Sequence, residues 1–238
     1  MRYLLKRLWW YYFALIRAIL IILFYPYLYL LLKWVKNYEL AHKVRRKGCR
    51  ILLFLIGIRV KFQGKFSKAS PSIIISNHFS ELDVFIACAY FPGNNVFVGK
   101  AELKNIPLFG IFFFFFFIPI EREKRSNRRQ EISNISTRLK EKWNLVIFPE
   151  GGILGNFPEL HPFMAGAFQF SMHYNVPLQP IVFYNNYILN DVDAGLAQPG
   201  TSFFEILEAE KPEHFNDKNA FSTHCYELIA QRLKSQNM

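Results

Sequence analysis

The sequence predicts an α/β fold: one domain whose mostly parallel or mixed sheet is flanked by helices, preceded by an N-terminal hydrophobic, membrane-anchoring helical segment. Three observations carry this expectation. Residues 8–32, LWWYYFALIRAILIILFYPYLYLLL, are apolar apart from Arg17, and a bilayer-spanning helix needs about 20 such residues. From about residue 60 onward, short β-branched runs alternate with stretches of helical periodicity, the order that builds a parallel sheet with helices against it. A chain of 238 residues buries one substantial core, so the division falls between a membrane-associated helical segment at 1–60 and a domain at 61–238.

Charge follows the same division. Residues 1–50 hold eleven Lys/Arg and one acidic residue, Glu39, whereas the rest of the chain holds eighteen Lys/Arg against seventeen Asp/Glu. A nucleic-acid-binding protein would spread its basic residues over a soluble domain. Cations flanking an apolar, aromatic stretch instead match an anionic membrane surface. The partners expected are therefore membrane lipids and not nucleic acid. Cys49, Cys88 and Cys225 lie far apart, without CxxC or Cys/His ligand spacing, which argues against a disulfide framework or structural zinc and fits a reducing, cytoplasmic setting.

Two readings of the anchor stay open, a single signal-anchor span and a monotopic or re-entrant helix. Arg17 is costly near a bilayer centre, Pro26 kinks a helix, and Lys/Arg flank both ends of the apolar stretch. A cleaved signal peptide does not fit, because the stretch is too long and bulky and has no A-x-A-like site. The cluster Lys33, Lys36, Lys43, Arg45, Arg46, Lys47 and Arg50 places the domain downstream of it on the cytoplasmic face. The next apolar run, ILLFLIGI at 51–58, is too short to span and either packs beside the anchor or begins the domain.

The domain then reads in order. IRVKFQG is a strand ending in a glycine turn, SIIIS a strand, SELDVFIACAYF a helix, NVFVG a strand, and KAELKNIPLFG a loop with a helical turn. IFFFFFFIPI, with six consecutive phenylalanines at 112–117, cannot alternate into water, so both faces are covered, by protein, by lipid or by the acyl chain of a ligand. From Ser126 to about Trp143, Ile132, Ile135, Leu139 and Trp143 recur at helical spacing with basic residues largely on the other face. NLVIFPEGG is a strand entering a turn, PFMAGAFQFSMHY a helix, VPLQPIVFY a strand, and TSFFEILEAE a strand or part of a hairpin. Asn219–Ser235 close the chain as an amphipathic helix with Phe221, Leu228, Ile229 and Leu233 inward.

Chemistry concentrates where SIIIS ends. Of six histidines only His78 has a carboxylate five positions on, Asp83. On one continuous helix five residues turn about 500°, so the two side chains would diverge by roughly 140°. They meet only if His78 lies in the loop and Asp83 in the first helical turn. Ser80 fits an N-cap with Asp83 at the capping-box position, and a carboxylate can cap a helix and bond an imidazole at once. His78 is then a candidate general base and Asp83 its orienting carboxylate. The alternative, a plain cap beside an ordinary loop histidine, stands on the same residues. His161, His173, His214 and His224 read as structural or solvent-facing. Arg122–Arg129 read as a solvated helix start or as a surface for lipid headgroups or for donor phosphates.

Asn77-His78-x4-Asp83 is followed by Lys100-x2-Leu103-x3-Pro107-x2-Gly110, then Ile120-Glu121-Arg122, Phe148-Pro149-Glu150-Gly151 and Val176-Pro177. In this order the blocks resemble those of the PlsC-type glycerolipid acyltransferases, which include the lysophosphatidic acid acyltransferases. The resemblance covers residues 70–185. It implies that His78 activates the acceptor hydroxyl and Asp83 orients it, with no covalent enzyme intermediate. It further implies that Lys100 and Arg122 contact phosphate or carboxylate groups of the acceptor, that Glu150 and Gly151 line the acceptor site, and that Pro177 supports the acyl-binding wall.

The implied reaction moves a fatty acyl group from acyl-CoA or acyl carrier protein to a lysophospholipid hydroxyl, with no metal and no other cofactor. Turn amides at Glu150-Gly151-Gly152 are candidate oxyanion donors. The family's third block usually continues to threonine and arginine, but here it reads Gly152-Ile153-Leu154; a downstream lysine is replaced by Met164. These departures leave room for a different lyso-lipid or an amino-acid lipid as acceptor. A lipid ester hydrolase would need a nucleophile such as that of G-x-S-x-G, which the sequence lacks. A non-catalytic scaffold would leave the His78/Asp83 pair and the lysine block without a role.

Overall fold

The computed structural model describes residues 1–105, 116–121 and 128–236. Its first element, α1 (Arg2–Tyr29), continues into a π-helical turn at Leu30–Val35. Lys36 then adopts a left-handed conformation and the Asn37 side chain caps α2 (Tyr38–Leu55). Thus ILLFLIGI divides between the end of α2, which packs beside the anchor, and the start of β1 (Ile58–Gln63), a strand that crosses the 60/61 division.

The remaining elements are β2 (Ile73–Ser76), α3 (Glu81–Tyr90), β3 (Asn95–Lys100), a 3₁₀ turn at Ala101–Asn105, β4 (Phe117–Ile120), α4 (Arg128–Lys140) and β5 (Asn144–Ile147). After them come α5 (Gly166–Tyr174), β6 (Leu178–Phe183), a short α6 (Asn186–Leu189), the small ribbon β7 (Asn190–Asp191) and β8 (Leu196–Ala197), β9 (Gly200–Ile206) and α7 (Lys218–Gln236).

Seven strands form one mixed sheet in the order β1-β9-β6-β2-β5-β3-β4. β6, β2, β5, β3 and β4 run parallel, and β9 joins antiparallel to β6. The central strands are apolar on both faces because helices cover both, as parallel sheets require. Ile74, Phe97, Val146 and Phe183 face α1, α2 and α3. Ile73, Ile75, Leu145 and Val182 face α4, α5 and α7. Phe117, where the phenylalanine run enters β4, stacks on Phe97 of β3 at 5.1 Å. Pro119 sits in that strand without cost because β4 is the sheet edge. Residues 112–115 of the run lie outside the described residues. Of the residues expected inward on α4, Ile132 is exposed while Ile135, Leu139 and Trp143 are buried.

The N-terminal helices are bound to the domain rather than held apart from it. Arg7 donates to Ala194 O at 2.7 Å, Trp9 to Ile56 O at 3.2 Å and Tyr12 to Leu55 O at 3.1 Å. Arg17 pairs with Glu81 of α3 at 2.6 Å. Three arginines of the basic cluster also turn toward the protein: Arg45 to Asn95 O, Arg46 to Phe91 O and Gly93 O, Arg50 to Ala89 O. They satisfy carbonyls at and beyond the C-terminus of α3, where cations are favoured. Only part of that cluster therefore bears on membrane topology. The opposite face of α1 carries an exposed apolar stripe, Leu4, Leu8, Tyr11, Leu15, Ile19 and Ile22, and the helix through Val35 is long and apolar enough to cross a bilayer. It is a candidate membrane anchor.

His42 of α2 is buried between Trp143 and Phe116, with ring centroids at 4.7 and 5.4 Å. Burial, reinforced by the neighbouring Arg45, Arg46 and Arg138, depresses its pKa to about 2. The folded state thus holds it neutral while the unfolded chain protonates it below about 6.5. From this group alone, stability should fall by about 1.4 kcal/mol per pH unit as pH drops below that value. His42→Phe should abolish that contribution, read as the difference between variant and wild-type unfolding free energies across pH 4.5–7.

Candidate functional site

The carboxyl ends of β2, β5 and β3 open onto one crevice, the position where open α/β sheets bind ligands. β2 delivers Asn77 into the loop, and its buried side chain locks that end of the sheet. Asn77 Nδ2 donates to Phe183 O and Phe183 N–H donates to Asn77 Oδ1, both at 2.8 Å. His78 comes next, its imidazole stacked on Phe148 with centroids 4.0 Å apart and planes 17° apart. Ser80 then caps α3, accepting from Leu82 N–H, while Asp83 closes the capping box.

The loop-to-helix junction brings the pair together. His78 Nδ1 lies 3.0 Å from Asp83 Oδ2. The same oxygen accepts the N–H groups of Phe79 (2.8 Å) and Ser80 (2.9 Å), so Asp83 caps the helix and bonds the imidazole simultaneously. With Nδ1–H directed at a carboxylate, Nε2 is the acceptor nitrogen.

A cleft of about 470 Å³ is lined by His78, Lys100, Gly151 and Gly152. Ala14, Ala18 and Ile21 of α1, Val84 and Phe85 of α3, and Leu103 and Phe117 form its apolar walls; Arg17 and Glu81 also face it. Gly151 has φ +87°, which favours glycine. A Cβ on Gly152 would stand 3.4 Å from Lys100 Nζ, so the ammonium lies close against this turn. Of the residues singled out from sequence, His78, Asp83, Lys100 and Gly151 converge here, and Arg122 lies outside the described residues.

Glu150 departs from the expectation that it lines the acceptor site. It is 3% exposed, and its carboxylate turns inward to accept His78 N–H at 2.7 Å and His161 N–H at 2.9 Å. It holds the His78 loop from behind, through His161 backbone that the sequence left as merely structural. The Gly151 amide donates to Phe148 O at 3.0 Å, so the turn's oxyanion donors would have to be other groups. Pro177 lies at the amino end of β6, where its carbonyl accepts Ile73 N–H, the end of the sheet opposite the cleft. It does not support an acyl wall there.

Burial raises the Glu150 carboxyl from its usual range to about 7, against the lowering effect of the His161 and His78 N–H groups. The folded state therefore holds this proton where the unfolded chain does not. Stability from this group is full below pH 4.5 and is lost as pH rises toward 7, the opposite sign to His42. Glu150→Gln should remove that dependence. It should also cost about 1–3 kcal/mol, because its NH₂ must oppose one of the two backbone donors. Urea unfolding of the variant across pH 4.5–7 reads both effects.

The sequence profile of the acyltransferase family matches residues 57–184. The 1-acyl-sn-glycerol-3-phosphate acyltransferase of Helicobacter pylori is 28% identical over 192 residues, covering 80% of this chain and 78% of that protein. The enzyme of the same description from Saccharomyces cerevisiae is 29% identical over 174 residues, covering 69% of this chain but only 55% of the yeast protein. The crystal structure of the 1-acyl-sn-glycerophosphate acyltransferase PlsC from Thermotoga maritima superposes with a TM-score of 0.82 at 20% identity, over 100% of this chain and 98% of that one. With the profile spanning more than half of the sequence and the fold shared end to end, this chain belongs to the PlsC-type acyltransferase family.

Proposed function

We propose that this protein transfers a fatty acyl group from a carrier thioester, acyl-CoA or acyl carrier protein, to the free hydroxyl of 1-acyl-sn-glycerol 3-phosphate, giving phosphatidic acid. The observation that carries the reading is the His78–Asp83 hydrogen bond beside a cleft whose lining combines His78 and Lys100 with apolar side chains of α1 and α3. His78 Nε2 takes the proton of the acceptor hydroxyl as its oxygen attacks the thioester carbonyl carbon. Asp83 fixes the tautomer and stabilises the imidazolium. The tetrahedral intermediate collapses with departure of the thiolate, which leaves readily and needs no second proton donor. The imidazolium gives its proton to the departing sulfur or to solvent, and the acyl group passes directly to the acceptor oxygen without a protein nucleophile. Lys100 meets the acceptor phosphate, and the apolar walls take the acyl chain. The exposed stripe of α1 faces lipid on the cytoplasmic side, with the helix lying along the domain.

A second acceptor class is favoured by one observation: Ile153 and Met164 stand where the family pattern carries cations, Ile153 in the cleft lining and Met164 exposed at 47%, and neither offers an anionic headgroup a charge. The test is incubation of purified protein with labelled acyl-CoA or acyl carrier protein and a panel of lyso-lipids, with products identified by mass. Phosphatidic acid is the expected product. Acylation confined to acceptors without a phosphomonoester would overturn the acceptor assignment and leave the chemistry standing.

A further inference from the structure

Asp83 is held on both oxygens, and the second hold comes from a part of the chain beyond the span matched by the family profile, which ends at residue 184. His78 and the two backbone N–H groups all meet Oδ2. Oδ1 receives the side-chain amide of Asn186 at 2.7 Å, the donor to that oxygen among the described residues. Asn186 is 1% exposed and its carbonyl oxygen accepts the hydroxyl of Ser202 at 2.6 Å. Ser202, on β9, is fully buried. An Asn amide can present either end to a neighbour; the carboxylate of Asp83 only accepts, so it takes the NH₂, and the Ser202 hydroxyl, which can donate or accept, donates to the oxygen.

We infer that Asn186, held from behind by Ser202, is a positioning residue for the acyl-transfer reaction: it fixes the plane of the Asp83 carboxylate and through it the imidazole of His78. The three donors on Oδ2 leave residual rotation of the carboxylate about Cβ–Cγ, which would carry Oδ2 away from His78 Nδ1. A donor on the other oxygen removes that freedom. Asn186 also neutralises part of the charge on Asp83, which sets how strongly the carboxylate holds a proton on His78. This inference rests on His78 acting as the base.

Asn186→Leu, close in size and without a donor, is expected to lower kcat by about 10- to 100-fold, the scale of small misplacements in an active site, with acceptor KM unchanged. Because Asp83 then keeps more of its negative charge, the acid limb of kcat/KM should move to higher pH. Asn186→Asp adds a second carboxylate and should move it further in the same direction. Arg17, Glu81 and Lys100, which line the cleft, and Glu150 behind the loop, are common to all variants, so the displacement reports the Asn186 contact.

A residue that only supports the fold would lower the thermal midpoint and the yield of active protein while leaving the pH limb and the rate per folded molecule unchanged; that outcome overturns the inference. Should Asn186→Leu not fold, Ser202→Ala carries the test, with the same direction of pH displacement and a loss of about 5-fold expected for one neutral hydrogen bond, an unmoved limb again overturning it. If the wild-type protein transfers no acyl group, the functional reading itself fails. The positioning claim is then read without turnover, from displacement of the His78 Nδ1–H proton resonance in Asn186→Leu.

Discussion

His78→Ala is expected to reduce acyl transfer by at least about 1,000-fold, within the range that general acid–base catalysis contributes together with an oriented partner. The loss should be chemical and not structural, because the loop does not depend on the imidazole for its shape. The His78 backbone N–H still donates to Glu150, and Asp83 still accepts from Phe79, Ser80 and Asn186. What disappears is a ring packed on Phe148 and, with it, the acceptor nitrogen of a residue that lines the cleft. Thermal unfolding and circular dichroism should place the variant near wild type, and acceptor binding measured by calorimetry should persist. A folded variant that keeps most of its transfer rate removes His78 from the chemistry.

That pair is legible in the sequence because its signals are local. Ile73–Ile75 mark a strand, Ser80 and Asp83 a capping box, and the five-residue spacing admits only a loop-to-helix junction. The sheet is legible for a similar reason, since buried parallel strands are short β-branched runs. Contacts made by distant segments leave no such trace. Asn77 with Phe183, and Asp83 with Asn186, are separated by more than a hundred residues, and an Asn in a turn reads the same whether its amide meets water or a buried carboxylate. The arginines of α2 illustrate a second limit. Positive charge after an apolar helix fits membrane topology, yet Arg45, Arg46 and Arg50 serve the carbonyls around the end of α3. Arg17, an obstacle to a membrane span by sequence, finds Glu81 on the domain, a partner that periodicity could not nominate. Pro177 is assigned to the acyl wall by its block alone, and the strand direction puts it at the other end of the sheet.

Asp83→Asn should cost about as much as loss of the imidazole, about 10³- to 10⁴-fold in kcat, the scale seen when an orienting aspartate behind a catalytic histidine becomes asparagine. The reason lies in the donor count. Both carboxylate oxygens face donors only: His78 Nδ1–H, Phe79 N–H and Ser80 N–H on one, the Asn186 amide on the other. An asparagine offers one acceptor and one donor, so some donor must meet a donor unless neighbours rearrange. Turning the new NH₂ toward Asn186 requires that amide to reverse and the Ser202 hydroxyl to accept instead of donate. Even then, the imidazolium formed during transfer faces a neutral oxygen in a buried setting, where loss of the charge matters most. Turning the NH₂ toward His78 instead favours the tautomer with its proton on Nε2, which cannot accept from the substrate. The variant should also unfold about 1–3 kcal/mol more easily, from the weakened cap and an unsatisfied buried donor. Rate and stability therefore separate the two roles of Asp83: a variant that loses that stability but keeps its kcat would leave Asp83 as a helix cap alone, and His78 would then be held for catalysis by Glu150 and Phe148.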